Sequence, residues 1–384
     1  MRNSGPLDGV QVIELAGIGP GPFAAMLLAD LGADVIRIDR PTGAGLAPAP
    51  PTADVLNRGK RSIVLDLKRP EAVEALLALT ATADVLVEGN RPGVTERLGV
   101  GPEDVWARNP RLVYGRMTGW GQDGPWAQAA GHDIGYIALT GALHAIGPAD
   151  GPPVPPLNLL GDFGGGSTYL VIGILAALTE AARTGRGQVV DAAILDGTSH
   201  LLAAIHAMLG SGRWTDRRGA NMLDGGTPYY AVYAAADGGH LAVGALEPTF
   251  YAEFLRLLGV DEDPARQHDR DHWPELRTTI AAAFATRTRD EWAAVFAGTD
   301  ACVAPVLGLT EAAAHPQVAA RDSVVEHEGR LQPGPAPRFS GHPVAGPAPS
   351  PTPGAHSWEV LAAAGVDVDA LLASGAAVQA PVPS

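Results

Sequence analysis

Val10-Gln11-Val12-Ile13-Glu14-Leu15, then Gly17-Ile18-Gly19-Pro20-Gly21-Pro22, then an apolar segment over 23–31, then Asp34-Val35-Ile36-Arg37-Ile38-Asp39: this run decides the fold class. Short apolar run, glycine-rich turn, apolar helical segment and second apolar run spell strand–loop–helix–strand, the start of a parallel sheet. The turn is not a G-x-G-x-x-G fingerprint, since its glycines alternate and proline intervenes, so it is no evidence for a nicotinamide cofactor. Arg40 follows the second strand, on the side of an open α/β sheet where ligands bind.

The alternation continues. Residues 63–68, 84–89, 112–117 and 188–194 read as further strands, with a helix over 71–79. Residues 41–55, rich in Gly, Ala and Pro, read as a mobile loop. Asn57-Arg58-Gly59-Lys60-Arg61-Ser62 packs three cations round a glycine beside a strand. That cluster suits a phosphate or pyrophosphate, and equally a solvated basic turn. Arg91 and Arg97 follow the 84–89 strand. With Arg40 they fit a ligand of spread negative charge lying along one sheet edge. A helix over 198–209, carrying His200 and His206 as ordinary helix residues, leads away from this first domain. Beyond it, 229–235 and 240–245 with Asp237-Gly238-Gly239 between them read as a β-hairpin. Helices over 249–258, 273–286 and 290–297 complete a compact α+β domain. The proline-dense stretch 332–353 reads as an extended strap, followed by a last helix over 358–364.

The net charge of −15 argues against a nucleic-acid-binding surface. It leaves room for an anionic ligand, because a few local arginines hold phosphates on an acidic protein. The one cysteine, Cys302, rules out an intramolecular disulfide, and its apolar setting reads as a buried strand. The most apolar segment, 169–182, is short for a membrane span and reads as a core helix. With no signal-peptide pattern at the N-terminus, the expected location is the cytoplasm.

The chemistry concentrates at 131–167. His132 opens one apolar helical pattern. Asp162 precedes Gly164-Gly165-Gly166 and a second one. Each group stands where a loop is expected to meet a helix N-terminus, with free backbone N–H groups at hand. The pair suits two opposed proton carriers, and equally a polar packing histidine and a helix-entry aspartate. Glu247 stands where the hairpin meets the next helix, a loop position fit for binding or catalysis and also common for a surface glutamate. No His/Cys/Asp cluster has metal-ligand spacing.

Together these stretches resemble the racemase branch of the family III CoA-transferase superfamily. The resemblance is carried by Val12–Gly17 with Gly19-Pro20-Gly21-Pro22, Ile38-Asp39-Arg40-Pro41, Arg58–Ser62 with Leu65–Lys68, Arg91-Pro92-Gly93-Val94, Gly131-His132-Asp133-Ile134, Pro156–Leu159, Asn221–Gly226, Glu247-Pro248 and Asp300–Val303. It implies a large open α/β, Rossmann-like domain over 1–195 completed by 325–384, a linker-helix region over 196–225, and a smaller α+β domain over 226–324. Two chains would interlock as a homodimer, with no nucleic-acid or membrane partner. It implies His132 and Asp162 as acid/base residues and Glu247 as the carboxylate pairing with the histidine. For the CoA part of the substrate it implies Arg40, Leu65, Asp66, Leu67, Lys68, Gly89, Asn90, Arg91, Arg97, Gly131, Asp133, Ile134, Gly135 and Tyr136. Gly135 departs from the asparagine usual in these racemases. No separate cofactor and no metal are expected.

The implied reaction is inversion at the α-carbon of a 2-methylacyl-CoA thioester. One base acts on one face, one acid on the other, and backbone amides near Asp162 and Gly164 stabilise the enolate oxygen. A second possibility is CoA transfer with Asp162 as nucleophile through an acyl-anhydride. A third is an idle acyl-CoA-binding protein.

Overall fold

The computed structural model describes residues 5–42, 50, 53–343 and 346–381. Positions 43–49 and 51–52 of the expected loop lie outside the described residues. The chain forms two compact units, Met1–Thr140 with Leu157–Leu201 and Gln317–Ser384, and Gly141–Pro156 with Leu202–Pro316.

The first unit is built on a seven-stranded sheet in the order β12-β3-β2-β1-β4-β5-β6. Its strands are β1 (Gln11–Leu15), β2 (Asp34–Asp39), β3 (Arg61–Leu65), β4 (Val85–Glu88), β5 (Val113–Thr118), β6 (Val189–Ala193) and β12 (Ala377–Val378). All pairs are parallel except β12 with β3. Six of these strands were expected within two or three residues. Burial on both faces explains their near-continuous apolar runs. Ile13, Leu15, Ile36, Ile63 and Leu86 face one core, with the Pro70–Thr80 helix and the C-terminal helices. Val12, Val35, Val85 and Val113 face the other, under the Pro20–Asp30 and Thr168–Thr184 helices. Ile13 is fully buried, so Ile13→Ala would cost about 2–5 kcal/mol.

Glu14 interrupts the apolar face of β1 and is also fully buried. It stands opposite Arg37 in the β1–β2 register and accepts from the Arg37 Nη1 at 2.6 Å, while Lys60 Nζ lies 2.7 Å from its other oxygen. Arg37 Nε also donates to Asp39 at 2.9 Å. These cations hold the Glu14 carboxyl below its usual range against the opposing effect of burial.

Here the reading of Arg58-Gly59-Lys60-Arg61 is corrected, for the cluster is neither a phosphate site nor a solvated turn. Arg58 grips Asp30 at 2.6 and 3.2 Å, Lys60 is spent on Glu14, and Arg61 grips Asp34 at 2.5 and 3.0 Å. A cation buried among carboxylates has no charge left for a ligand.

The C-terminal segment belongs to the first unit. Arg58 Nη1 donates to Gln332 and to the Pro333 carbonyl, the Gly59 amide donates to Pro349 O, and Ser357 Oγ accepts from the Val64 amide. The stretch expected as a strap from 332 begins inside a hairpin of β10 (Val324–His327) and β11 (Arg330–Pro333). Ser357–Ala363 forms the expected helix. A second, at Val368–Ser374, was not anticipated.

Two expectations about helices fail. The Gly164-Gly165-Gly166 stretch is not a loop. Leu159–Ser167 is a π-helical run, with the Phe163 amide reaching Asn158 O, and it continues directly into Thr168–Thr184. The reason is a close helix crossing. A Cβ on Gly165 would lie 2.4 Å from Thr198 Oγ1, and one on Gly197 would lie 1.9 Å from Gly165 O. Only glycine lets the two backbones meet so closely. The joined helix is consequently 26 residues, long and apolar enough to cross a bilayer by length and composition. Its Leu170, Val171, Ile174 and Ala177 nevertheless pack in the sheet core. The second failure is the 198–209 helix, which breaks at Leu202 into Ile194–Leu201 and Ala203–Gly210. The units divide at that break. Gly141–Pro156, expected in the large domain, groups with the second unit.

The second unit carries the expected hairpin, β7 (Tyr230–Ala234) against β8 (His240–Gly244), with β9 (Val303–Val306) on its edge. Helices Pro248–Leu258, Trp273–Phe284 and Arg289–Phe296 cover it through Tyr251, Phe254, Phe284 and Trp292. Cys302 is exposed rather than in a buried strand, because it precedes an edge strand that Pro305 keeps from pairing further. Partial burial and the nearby Glu247 and Asp300 carboxylates push its thiol pKa up, away from nucleophile character.

Candidate active site

In the first unit the chain runs from β1 to β2 and β3 on one side and to β4, β5 and β6 on the other. Between the carboxyl ends of β1 and β4 such a sheet leaves a crevice. A cavity of about 530 Å³ lies there, walled by Leu15–Pro22 after β1 and Val87–Pro92 after β4. His132, Tyr136 and Asp162 also line it.

His132 is the residue before the Asp133–Leu139 helix. It is extended (φ −138°, ψ 168°) and makes no side-chain cap. The imidazole is therefore not consumed by the helix end. Asp162 was expected at a helix N-terminus and is found instead inside the π-helical run. Such wide turns cluster at functional sites. Phe163 stacks on Phe23 at 4.2 Å, and Ser167 Oγ donates to Pro20 O at 2.7 Å, so the run is bound to the Pro20–Asp30 helix.

Burial pushes the Asp162 carboxyl up to about 6, with the Asp133 carboxylate adding to the rise; a hydrogen bond from Asn158 and the nearby His132 oppose it. Gly19 approaches that carboxylate so closely that a Cβ there would sit 3.2 Å from Oδ2. The Asp162 amide donates to Asp133 Oδ1 at 2.7 Å. That bond corrects the expectation that this N–H serves an enolate oxygen. Gly164 sits within the same helical hydrogen-bond run.

Of the residues expected at the CoA moiety, Arg40, Gly89, Asn90, Arg91, Gly131 and Tyr136 line this cavity. Arg40 and Arg91 are exposed, and Arg40 Nη2 donates to Asn90 Oδ1 at 3.4 Å. Leu65, Asp66, Leu67, Lys68, Arg97, Ile134 and Gly135 do not line it. Leu65 is buried in the sheet core, and Asp66 caps the Lys68 amide at 3.2 Å. Asp133 turns its carboxylate to the Asp162 amide. Glu247 lies in the second unit, exposed, as the residue before the Pro248–Leu258 helix. Among the described residues no group of three or more His, Cys, Asp or Glu is placed to hold a metal ion.

Among the wall components that sequence reading missed, three bear on the site. The loop 16–22 was set aside as a nucleotide fingerprint, although its glycines did signal close backbone approach. Glu88 ends a strand and looked like part of it. Trp120 packs edge-on against Trp126 and Tyr136 at 4.9 and 4.7 Å, a clustering no spacing rule announces.

Residues 7–357 match the family described as CoA-transferase family III. Alpha-methylacyl-CoA racemase of Mus musculus is 45% identical over 370 residues, covering 95% of this chain and 95% of that protein. Succinyl-CoA:glutarate CoA-transferase of Homo sapiens is 32% identical, covering 94% and 86%. Among solved structures, a CAIB/BAIF family protein from Brucella suis is similar with a TM-score of 0.81 at 30% identity, covering 94% of this chain and 100% of that one.

Proposed function

The chain belongs to CoA-transferase family III, and from that premise we propose that it interconverts the (2R) and (2S) forms of 2-methylacyl-CoA thioesters. The observation that carries this reading is one cavity lined by both an imidazole and a carboxyl group raised to about 6. An acid of that strength is present in both forms near neutral pH, so it can give or take a proton.

A thioester α-proton is too weakly acidic for either group to remove unaided. Donors at the enolate oxygen lower that barrier, at roughly 3–4 kcal/mol each. His132 takes the proton from one enantiomer while protonated Asp162 returns one to the opposite face. The roles exchange for the other enantiomer. The resemblance adds Glu247 as the carboxylate that orients the imidazole, as in hydrolytic triads. Arg40 and Arg91 supply charge for the phosphates of CoA. Leu65, Asp66, Leu67, Lys68 and Arg97 enter only through the resemblance, and the cavity does not support them.

The proposal includes a homodimer. Ile134 and Leu139 beside His132, and Leu157 and Leu159 before Asp162, are each at least half exposed. Exposed apolar side chains on both segments that carry the site support a second copy covering them. It also includes a cytoplasmic location, action without a cofactor, and no nucleic-acid or membrane partner.

The test is incubation with a 2-methylacyl-CoA in deuterium oxide without an added acid. Deuterium at C2 together with loss of optical activity supports racemisation. The 32% relatives named CoA-transferases favour a second reading, in which Asp162 is a nucleophile. Thioester exchange that depends on an added carboxylate, with C2 unlabelled, would establish it instead.

A further inference from the structure

Glu88, which the mechanism does not use, ends β4 with its residue 97% buried and on the cavity wall. Its Oε2 accepts the Asn90 N–H at 2.6 Å. Its Oε1 lies 3.7 Å from Arg116 Nε, and Arg116 in turn donates to Gln122 at 2.7 Å and to Glu96. A carboxylate braced against a buried guanidinium on the neighbouring strand is therefore a rigid anchor. What it anchors is the turn carrying the exposed cations. Arg91 is the next residue after Asn90, and the Asn90 side chain accepts from Arg40. A surface guanidinium left to itself samples many rotamers, and holding two of them toward one cavity needs a fixed backbone between them.

We propose that Glu88 is a positioning residue for the anion-holding turn: through the Asn90 amide and side chain it sets the placement of Arg40 and Arg91, and so selects for the diphosphate end of the thioester substrate. The inference rests on the acyl-CoA reading above. It assigns Glu88 no part in moving the C2 proton. Burial in the wall keeps water from competing for the Asn90 N–H, which makes the hold strong. The same burial raises the carboxyl to about 7, so the neutral form is accessible. Its carbonyl oxygen still accepts the Asn90 amide, and a glutamine there would too.

The experiment compares two substrates, a 2-methylacyl-CoA and the matching pantetheine thioester, which lacks the diphosphate and adenosine. Glu88→Ala is expected to raise KM for the CoA thioester about tenfold or more and to leave kcat within about twofold. Both constants for the pantetheine thioester should stay within about twofold. Glu88→Gln should restore most of the loss. A fall in kcat on both substrates would instead make Glu88 part of the proton chemistry. An equal rise in KM on both would make it a general packing residue. Either result overturns the proposal. If Glu88→Ala fails to fold, Asn90→Ala leaves the amide on Glu88 but removes the acceptor that holds Arg40, and unchanged kinetics on the CoA thioester there would refute the placement of Arg40 through Asn90 and with it the proposal. Calorimetric binding of free CoA, expected to weaken about tenfold in the same variants, reads the inference even if the wild-type protein exchanges no C2 hydrogen. That last result alone would sink the racemase reading and not this one.

Discussion

Replacing Gly19 by alanine perturbs the catalytic carboxyl without touching it chemically. Gly19 has φ 66° and ψ −113°, a region that side-chain-bearing residues avoid, and occupying it costs about 1–3 kcal/mol. For a domain of this size that is a fall of roughly 2–12 °C in Tm. The new methyl would also sit 3.2 Å from Asp162 Oδ2, tighter than ordinary contact. The carboxylate has to retreat by a few tenths of an ångström. Since a misplacement of about 1 Å can cost about 100-fold, a loss near tenfold in kcat is the expected scale. The methyl further excludes water from a carboxyl already raised to about 6, pushing it higher. Gly21→Ala is the control, because a Cβ there meets nothing within 4 Å and its φ is not positive. The assay is C2 deuterium incorporation measured at a temperature where both variants are folded. Wild-type kcat in Gly19→Ala would refute the placement of Asp162 at the reacting carbon. Equal damage in Gly21→Ala would show a generic effect of added bulk at the start of the Pro20–Asp30 helix and refute it as well.

Other predictions follow from named contacts. Where Asp162 is the base it must be ionised, so exchange from that enantiomer rises as pH climbs through about 6; where it is the acid it must be protonated, and the rate falls through the same value. Asp133→Asn removes a charge that helps raise that carboxyl while keeping an acceptor for the Asp162 amide, so both limbs should move to lower pH with KM for the thioester unchanged. Lys60→Met strips the fully buried Glu14 of one partner, and denaturant melts should show a loss of about 3–5 kcal/mol. KM for acyl-CoA should be unaffected, because Lys60 is not a phosphate ligand. Glu88, raised from 4.5 to about 7 by burial, binds a proton in the folded chain that the unfolded chain releases near 4.5. Its contribution to stability is full below pH 4.5 and lost as pH rises through 7, up to roughly 3 kcal/mol. Glu88→Gln should flatten that part of the stability–pH curve.

The parallel sheet was legible because each strand is buried on both faces, so Val12–Leu15 and Val35–Ile38 announce themselves as apolar runs broken only by Glu14 and Arg37, which pair with each other. The hairpin was legible through Asp237-Gly238-Gly239. What was not legible depended on distant partners. Nothing local says that Lys60 will meet Glu14, or that Arg58 will meet Asp30, so the cluster suited a phosphate site and a solvated basic turn equally. The triple glycine was read as the place where a loop enters a helix, when its cause lies across the crossing at Thr198 and Gly197. For the site, the resemblance named His132 and Asp162, and the cavity brings those two together. Residues 65–68 were carried by motif alone; their strand ends at the same sheet edge, but it is separated from β1 by β2 and they do not line the cavity.

One edge of the large sheet is closed by β12, where Ala377 pairs with Leu65 and Val378 with Val64. A ribosome delivers β3 long before its outer neighbour. Until β12 arrives the open backbone of β3 is an unguarded template for a neighbouring nascent chain. Loss of a few residues around Val378 would bring that hazard back, so clipping there should show first as clumping during expression, before any change in turnover.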